Sequence, residues 1–272
     1  MSPLRSGPIV LIGAGNMGGA MALGWIRSGI AGASIIAADP NPPEAMKARL
    51  DEVGIRFSSG APEGVTAGVV FVAVKPQVMD KVLPAYRTVI GKDTIVVSIA
   101  AGKTLAFLEE QVGPAPMVRA MPNTPAMIGR GVTGAFADAR VSEAQRALVH
   151  SLLEVSGPVE WVDSEALIDA VTAVSGSGPA YVFCLVECMA EAGRKLGLPA
   201  DLAMRLARAT VSGAGELLHQ SPGEAAELRR NVTSPGGTTA AALDVLMADA
   251  GMQPLFDKAI AAARDRAREL AG

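Results

Sequence analysis

The first 163 residues alternate between two kinds of segment, and the rest of the chain does not. Apolar, β-branched runs at 9–12, 34–38, 69–74, 94–98, 117–121 and 159–162 have the composition of strands. Helix-like segments at 18–28, 43–53, 77–86, 104–111 and 142–154 lie between most of them. Strands alternating with helices build a mostly parallel sheet covered on both faces. The run VVFVAV is apolar throughout, as a central strand of such a sheet requires. Past Asp163 the strand-like runs stop. Segments 165–174, 179–196, 199–218, 224–231, 238–248 and 253–270 read as helices, punctuated by GSGP, GLP, SPG, SPGG and DAG. The expectation is an α/β protein with a mostly parallel sheet over 1–163 and an all-α domain over 164–272.

Composition narrows the function classes. Half of the chain is hydrophobic and only 4% is aromatic, which suits closely packed helices. A net charge of −3 leaves no nucleic-acid footprint. No uninterrupted apolar run reaches the roughly 20 residues of a membrane helix. Arg5 ahead of an apolar stretch raises the question of a signal peptide. The glycines that follow fall at nucleotide-loop spacing, and the segment reads as strand, turn and helix. A cytoplasmic location is then the default expectation. The segment AYVFCLVECMAEAG is nearly apolar all round, so it should be buried on every side. A domain of about 110 residues has limited interior for such a helix, which predicts that a second copy of the chain covers it. Cys184 and Cys188 share one face of that helix. They read as small buried residues rather than as a metal or redox pair.

IVLIGAGNMGGAM sets Gly13, Gly15 and Gly18 in G-x-G-x-x-G register, after a strand and before a helix. The first glycine permits the tight turn, the second lets backbone approach a pyrophosphate, and the third packs helix on strand. The pyrophosphate then lies at a helix N-terminus. In this context the fingerprint marks a Rossmann-type dinucleotide site built from Ile12, Gly13, Ala14, Gly15, Asn16, Met17 and Gly18. Asp39 ends the second strand. Its carboxylate either binds the ribose 2′-hydroxyl, favouring NADH or dual use over NADPH, or starts the Asp-Pro-Asn-Pro turn. Two more loops follow strands on the same sheet edge: Ala73, Val74, Lys75 and Pro76, then Ala100, Ala101 and Gly102. Ligands of open α/β sheets bind outside the carboxyl ends of the strands, so both loops are cofactor candidates.

The acid–base inventory is poor. His150 and His219 are the only histidines, and neither sits in a distinctive motif. No nucleophile–histidine grouping and no metal ligand set is evident. Such an inventory suits a reaction that needs orientation and electrostatic fit more than a strong acid or base.

The chain resembles the pyrroline-5-carboxylate reductases. The residues that carry the resemblance are IGAGNMG, AVKPQ, AAG, RAMPNTPA at 119–126, DAVTAVSGSGPAYVF at 169–183 and NVTSPGGTT at 231–239. They stand in the family's order along nearly the whole chain. The resemblance implies an N-terminal Rossmann domain and a helical C-terminal dimerisation domain, with dimers that often assemble into rings. It implies reduction of 1-pyrroline-5-carboxylate to L-proline with NADPH or NADH. Ser234, Gly236, Gly237 and Thr238 would bind the substrate carboxylate, largely through backbone. Asn231, Val232 and Thr233 would line the same pocket. Thr239, carried over from the family as the catalytic position, would set its hydroxyl near the imine nitrogen. Asn123 is a candidate for the nicotinamide end of the cofactor, or else a turn residue between two prolines. The SGSGP stretch is expected as a turn beside the nicotinamide.

Two rivals remain in view. A β-hydroxyacid dehydrogenase would carry its catalytic lysine one turn after Gly178, where this chain has Tyr181, Val182 and Phe183. A non-enzymatic dinucleotide sensor would have no use for a hydroxyl-rich substrate loop. The chain also departs from the family at Asp39, where a small polar residue is common. That leaves the usual NADPH preference open.

Overall fold

A computed structural model describes residues 7–271. Arg5 of the signal-peptide question lies outside the described residues, as do the outermost residues of the two expected domains. The chain begins with β1 (Ile9–Ile12), α1 (Asn16–Arg27), β2 (Ile35–Ala38), α2 (Glu44–Glu52), β3 (Arg56–Ser58) and β4 (Ala67–Val72). It continues with α3 (Met79–Val82), β5 (Ile90–Ser98), α4 (Leu105–Val112), β6 (Met117–Met121), β7 (Thr133–Ala137), α5 (Glu143–Glu154) and β8 (Val159–Trp161).

The eight strands form one sheet in the order β3-β2-β1-β4-β5-β6-β7-β8. All neighbours are parallel except β6 and β7. The stretch from β3 to β6 is the doubly wound order, whose direction of winding reverses between β1 and β4. β1, β2 and β4 are buried on both faces, as their uninterrupted apolar sequences require. One apolar core lies under α1 and α5 and includes Trp25, Phe71 and Leu152. The indole Nε1 of Trp25 donates to the Leu152 carbonyl at 2.8 Å, and its ring meets Phe71 edge-on. The other core lies under the 79–112 segments and includes Met79, Tyr86 and Leu108.

Two differences from expectation have local causes. β7, Thr-Gly-Ala-Phe-Ala, has only one large apolar side chain, so no strand is expected there. It forms because it pairs antiparallel with β6. The helix expected at 77–86 is one α-turn flanked by 3-10 turns, with Pro76 and Pro84 near their starts.

The remaining helices are α6 (Leu167–Val171), α7 (Gly178–Lys195), α8 (Ala200–Gln220), α9 (Ala225–Asn231), α10 (Thr238–Leu246) and α11 (Met252–Ala271). No strand follows Trp161 among the described residues. The chain forms two compact units. One runs to Gly176 and takes in the end of α11 from Ala263, and the other is Ser177–Ala262.

The SGSGP stretch is not a turn. Residues 172–176 form a π-helical segment that runs from α6 to Ser177, whose backbone is itself right-handed helical, and α7 follows. The hydroxyls of Thr172 and Ser175 donate back to the carbonyls of Ile168 and Val171, four residues earlier. Such back-bonds suit an irregular helical turn. The whole run, Leu167–Lys195, is long and apolar enough to cross a membrane by length and composition, because it tolerates interruptions that the uninterrupted-run criterion does not. Only 11% of its most apolar window is buried in the single chain. Val182, Phe183, Leu185 and Met189 are all exposed in the single chain, on the helix for which a second copy is the expected cover. Cys184 and Cys188 are exposed as well, not buried, and the hydrogen bond between them raises the Cys184 thiol.

Candidate active site

The cofactor candidates gather on one edge of the sheet. The Gly13 N–H donates to the Ala38 carbonyl, that of Ala73 to Ile12, and that of Ile99 to Val72. These three bonds continue the ladders past the ends of β1, β2, β4 and β5. They bring the turn 13–18, Asp39, the loop 73–76 and the loop 99–104 to the carboxyl ends of adjacent strands. This is the edge, at the reversal of winding, where open α/β sheets bind ligands.

The glycine turn fits a pyrophosphate. Gly13 has φ +93°, a left-handed conformation that a side chain resists. A Cβ on Gly18 would collide with the Gly13 carbonyl oxygen, so only glycine lets α1 pack this close. A Cβ on Gly15 would meet nothing, which leaves room above the turn. No side chain caps α1. Its first backbone bond runs from the Gly19 N–H to the Gly15 carbonyl, so the N–H groups of Asn16, Met17 and Gly18 have no acceptor in the helix. Ile12 and Ala14 are buried beneath the turn.

Asp39 is fixed by backbone. Its Oδ2 accepts the Ala14 N–H at 2.8 Å and its Oδ1 accepts the Asn41 N–H at 2.9 Å. The two readings of Asp39 are therefore compatible: it starts its own turn and also stands beside the glycine loop. Burial, then the nearby Asp39 carboxylate, pushes the Tyr86 phenol up to about 12. Lys75 is exposed at the end of its loop, while Ala73 and Val74 are half-buried and Pro76 opens a 3-10 turn. Ala100 and Gly102 are buried and Ala101 is exposed. The Asn123 Oδ1 accepts the Val132 N–H at 3.0 Å, which braces the loop after β6.

The hydroxyl-rich loop lies in the other unit, between α9 and α10. Asn231 is the last residue of α9, and Val232 is exposed. The Thr233 hydroxyl donates back to the Arg229 carbonyl at 2.6 Å, so it serves the helix end first. Gly236 has φ +67°, the conformation the turn needs. The Gly237 N–H donates to the Ser234 carbonyl at 3.0 Å and closes the turn. Gly237 also occupies the cap position of α10, and no side chain caps that helix. Ser234 and Thr238, the residues one would expect to cap, do not. The first bond of α10 runs from the Ala241 N–H to the Gly237 carbonyl. The N–H groups of Thr238, Thr239 and Ala240 are left without acceptors in the helix. Ala240 carries no side-chain signal and escapes sequence reading for that reason.

One cluster was not expected. The Arg119 guanidinium is buried and pairs with Glu165 at 3.3 Å and Asp169 at 3.1 Å. His150, by contrast, accepts the Trp161 Nε1–H on its Nδ1 and sits away from any candidate residue in sequence. No group of three or more metal-ligating side chains occurs among the described residues.

Residues 165–270 match the family model for pyrroline-5-carboxylate reductase dimerisation. Residues 8–102 match that for coenzyme F420-dependent NADP oxidoreductases. The pyrroline-5-carboxylate reductase of Pseudomonas aeruginosa is 44% identical over 264 residues, covering 97% of this chain and 96% of that one. The structure of a pyrroline-5-carboxylate reductase from Coxiella burnetii superposes with a TM-score of 0.90 at 35% identity, covering 98% of this chain and all (100%) of the other. That of Plasmodium falciparum pyrroline carboxylate reductase with NADP bound gives 0.80 at 26% identity, covering 99% and 100%.

Proposed function

The chain belongs to the pyrroline-5-carboxylate reductase family, and on that premise we propose that it reduces 1-pyrroline-5-carboxylate to L-proline, the last step of proline biosynthesis. It is an oxidoreductase of C=N bonds with a nicotinamide dinucleotide cofactor. When bound, the reduced nicotinamide supplies the hydride to the imine carbon.

The residues of the chain bind, orient and donate. The N–H groups at the start of α1, on Asn16, Met17 and Gly18, hold the pyrophosphate. Asp39 faces the adenosine ribose. The loops 73–76 and 99–102 line the dinucleotide, and Asn123 stands at its nicotinamide end. The uncapped start of α10 holds the substrate carboxylate through the N–H groups of Thr238, Thr239 and Ala240, with Ser234, Gly236 and Gly237 shaping the turn. Asn231, Val232 and Thr233 line the pocket. The Thr239 hydroxyl donates to the imine nitrogen. A substrate nitrogen this basic needs no stronger acid.

The single observation that carries this reading is the α9–α10 loop, which spends two glycines and a proline to leave a helix start open in a hydroxyl-rich setting. The test compares the imine acid with 1-pyrroline, which lacks the carboxylate. We expect kcat/KM to fall at least about a hundredfold without the carboxylate, the size of a lost charge-assisted contact. Equal kcat/KM values would remove the loop from carboxylate binding.

Asp39 gives NADH preference or dual use rather than strict NADPH preference. The exposed apolar face of α7 is covered by a second copy, giving a homodimer through the helical domain that assembles further into a ring of dimers. The enzyme works in the cytoplasm.

A further inference from the structure

The Glu165 carboxylate joins two segments that lie 60 residues apart. Its Oε1 accepts the Leu105 N–H at 2.7 Å, and Leu105 is the first residue of α4. The same Oε1 accepts the Arg119 Nη1–H at 3.3 Å. Arg119 sits on β6 with its side chain 3% exposed, and its Nη2 donates to Asp169 at 3.1 Å. Asp169 in turn lies 3.9 Å from the Arg268 guanidinium on the last turn of α11. Two residues further on, Leu270 packs against Gly102, where an added Cβ would come within 3.1 Å of it.

Two of these contacts bear on the loop 99–104: the Glu165 bond to Leu105 at its end, and Leu270 on Gly102. Thr104 caps α4 through its own hydroxyl and the Phe107 N–H. Glu165 takes the Leu105 N–H, at the first helical position, and Leu270 rests on the middle of the loop. A carboxylate that accepts from a helix start is well placed electrostatically. A buried guanidinium shared by two carboxylates fixes their positions, because breaking one contact leaves charge uncompensated. Buried ion networks are often no more stabilising than apolar packing of the same volume, so stability alone is a weak reason for this one.

We propose that Glu165 is a positioning residue for the dinucleotide: it holds the loop 99–104 in its binding shape, with Arg119 locking the carboxylate. The proposal rests on the assignment of that loop to the cofactor. Glu165 touches neither cofactor nor substrate in this scheme. It acts through the Leu105 N–H.

The experiment uses the full chain and two substitutions at a side chain that is 28% exposed, Glu165→Ala and Glu165→Gln. NADH and NADPH are each titrated by nicotinamide fluorescence without imine, and KM and kcat are then measured. Glu165→Ala should weaken dinucleotide binding by about tenfold and raise its KM alike, while kcat at saturation stays within about twofold. Glu165→Gln keeps an oxygen for the Leu105 N–H and should restore binding to within about threefold of the parent. Leu105→Pro is the second variant should Glu165→Ala fold poorly. It removes the N–H from the other side, at a first helical position where proline is tolerated, and should weaken dinucleotide binding in the same way. Unchanged dinucleotide affinity in Glu165→Ala or in folded Leu105→Pro would overturn the proposal, and so would a Gln variant as weak as Ala. A parent chain that binds neither dinucleotide would instead sink the cofactor assignment and the proposal with it.

Discussion

The carboxylate of Asp39 accepts the backbone N–H of Ala14, inside the glycine turn, at 2.8 Å. One oxygen is thus held by the glycine turn, the proposed pyrophosphate loop, and the other by Asn41. On the proposed reading, this negative charge stands beside the ribose 2′-position and disfavours a 2′-phosphate there. Asp39→Ser should therefore shift the ratio of kcat/KM toward NADPH by roughly tenfold or more, about the 1.4 kcal/mol of one contact. Parallel initial-rate measurements with the two cofactors decide it. An unchanged ratio would mean that Asp39 only builds its turn.

Thr239 stands in the open first turn of α10. On the proposed reading, replacing it with Ala removes the donor to the imine nitrogen and little else. The kcat/KM for the imine acid should fall by roughly a hundredfold, in the range of a positioned proton donor. Dinucleotide affinity should hold. Undiminished activity in a folded Thr239→Ala protein would remove Thr239 from the site.

Gly18 packs α1 onto the Gly13 carbonyl and the Ala73 side chain. Gly18→Ala forces that turn apart. We expect a loss of about 1–3 kcal/mol in denaturant unfolding, the usual cost of overpacking, together with weaker dinucleotide binding. A variant as stable as the parent, with unchanged affinity, would show that the turn is looser than described.

Phe183 is 63% exposed on α7, amid Val182, Leu185 and Met189. A second copy that covers this face buries two such rings, each stabilising by about 1.5–3 kcal/mol. Phe183→Glu should raise the dimer dissociation constant at least about a hundredfold. Sedimentation at micromolar protein should show the parent as a dimer or larger and the variant as a monomer. A monomeric parent would count against the interface.

Tyr86 sets an alkaline limit. Its phenol titrates at about 12 in the fold against 10.0 in its ordinary state, because of burial first and Asp39 second. The neutral phenol is favoured in the folded state, so this contribution is fully present below pH 10 and is lost as pH rises toward 12. The loss should be on the order of 2 kcal/mol. Tyr86→Phe should flatten the stability profile across that window. The same alkaline loss in Tyr86→Phe would assign it to another group.

Much of the fold is legible in the chain because the physics is local. Ile9–Ile12 and VVFVAV are apolar on both faces, and only a covered parallel sheet can use that. Gly13, through its left-handed backbone, and Gly18, through its contact with the Gly13 carbonyl, specify a turn that other residues cannot adopt or pack, while Gly15 leaves room above it. What escaped was set by tertiary context. β7 has almost no strand signal and is made by its neighbour β6. The Ser175-Gly176-Ser177-Gly178-Pro179 stretch is made only of turn-favouring residues, yet the chain stays helical through it with a π segment. In the candidate site, the motif residues could be named in advance, but which N–H groups are free could not. The Gly237 N–H is used by Ser234, which shifts the open donors one residue along to include Ala240. Arg119 could be seen within RAMPNTPA, but its partners Glu165 and Asp169 lie 46 and 50 residues away and share no local pattern with it.

The most direct test is turnover. Purified protein is mixed with pyrroline-5-carboxylate and either NADH or NADPH, and the near-ultraviolet absorbance of the reduced cofactor is followed. The reading requires a loss of absorbance that depends on both imine and protein, with L-proline formed in equal amount. A folded sample that binds a dinucleotide but oxidises neither one in the presence of the imine would contradict it.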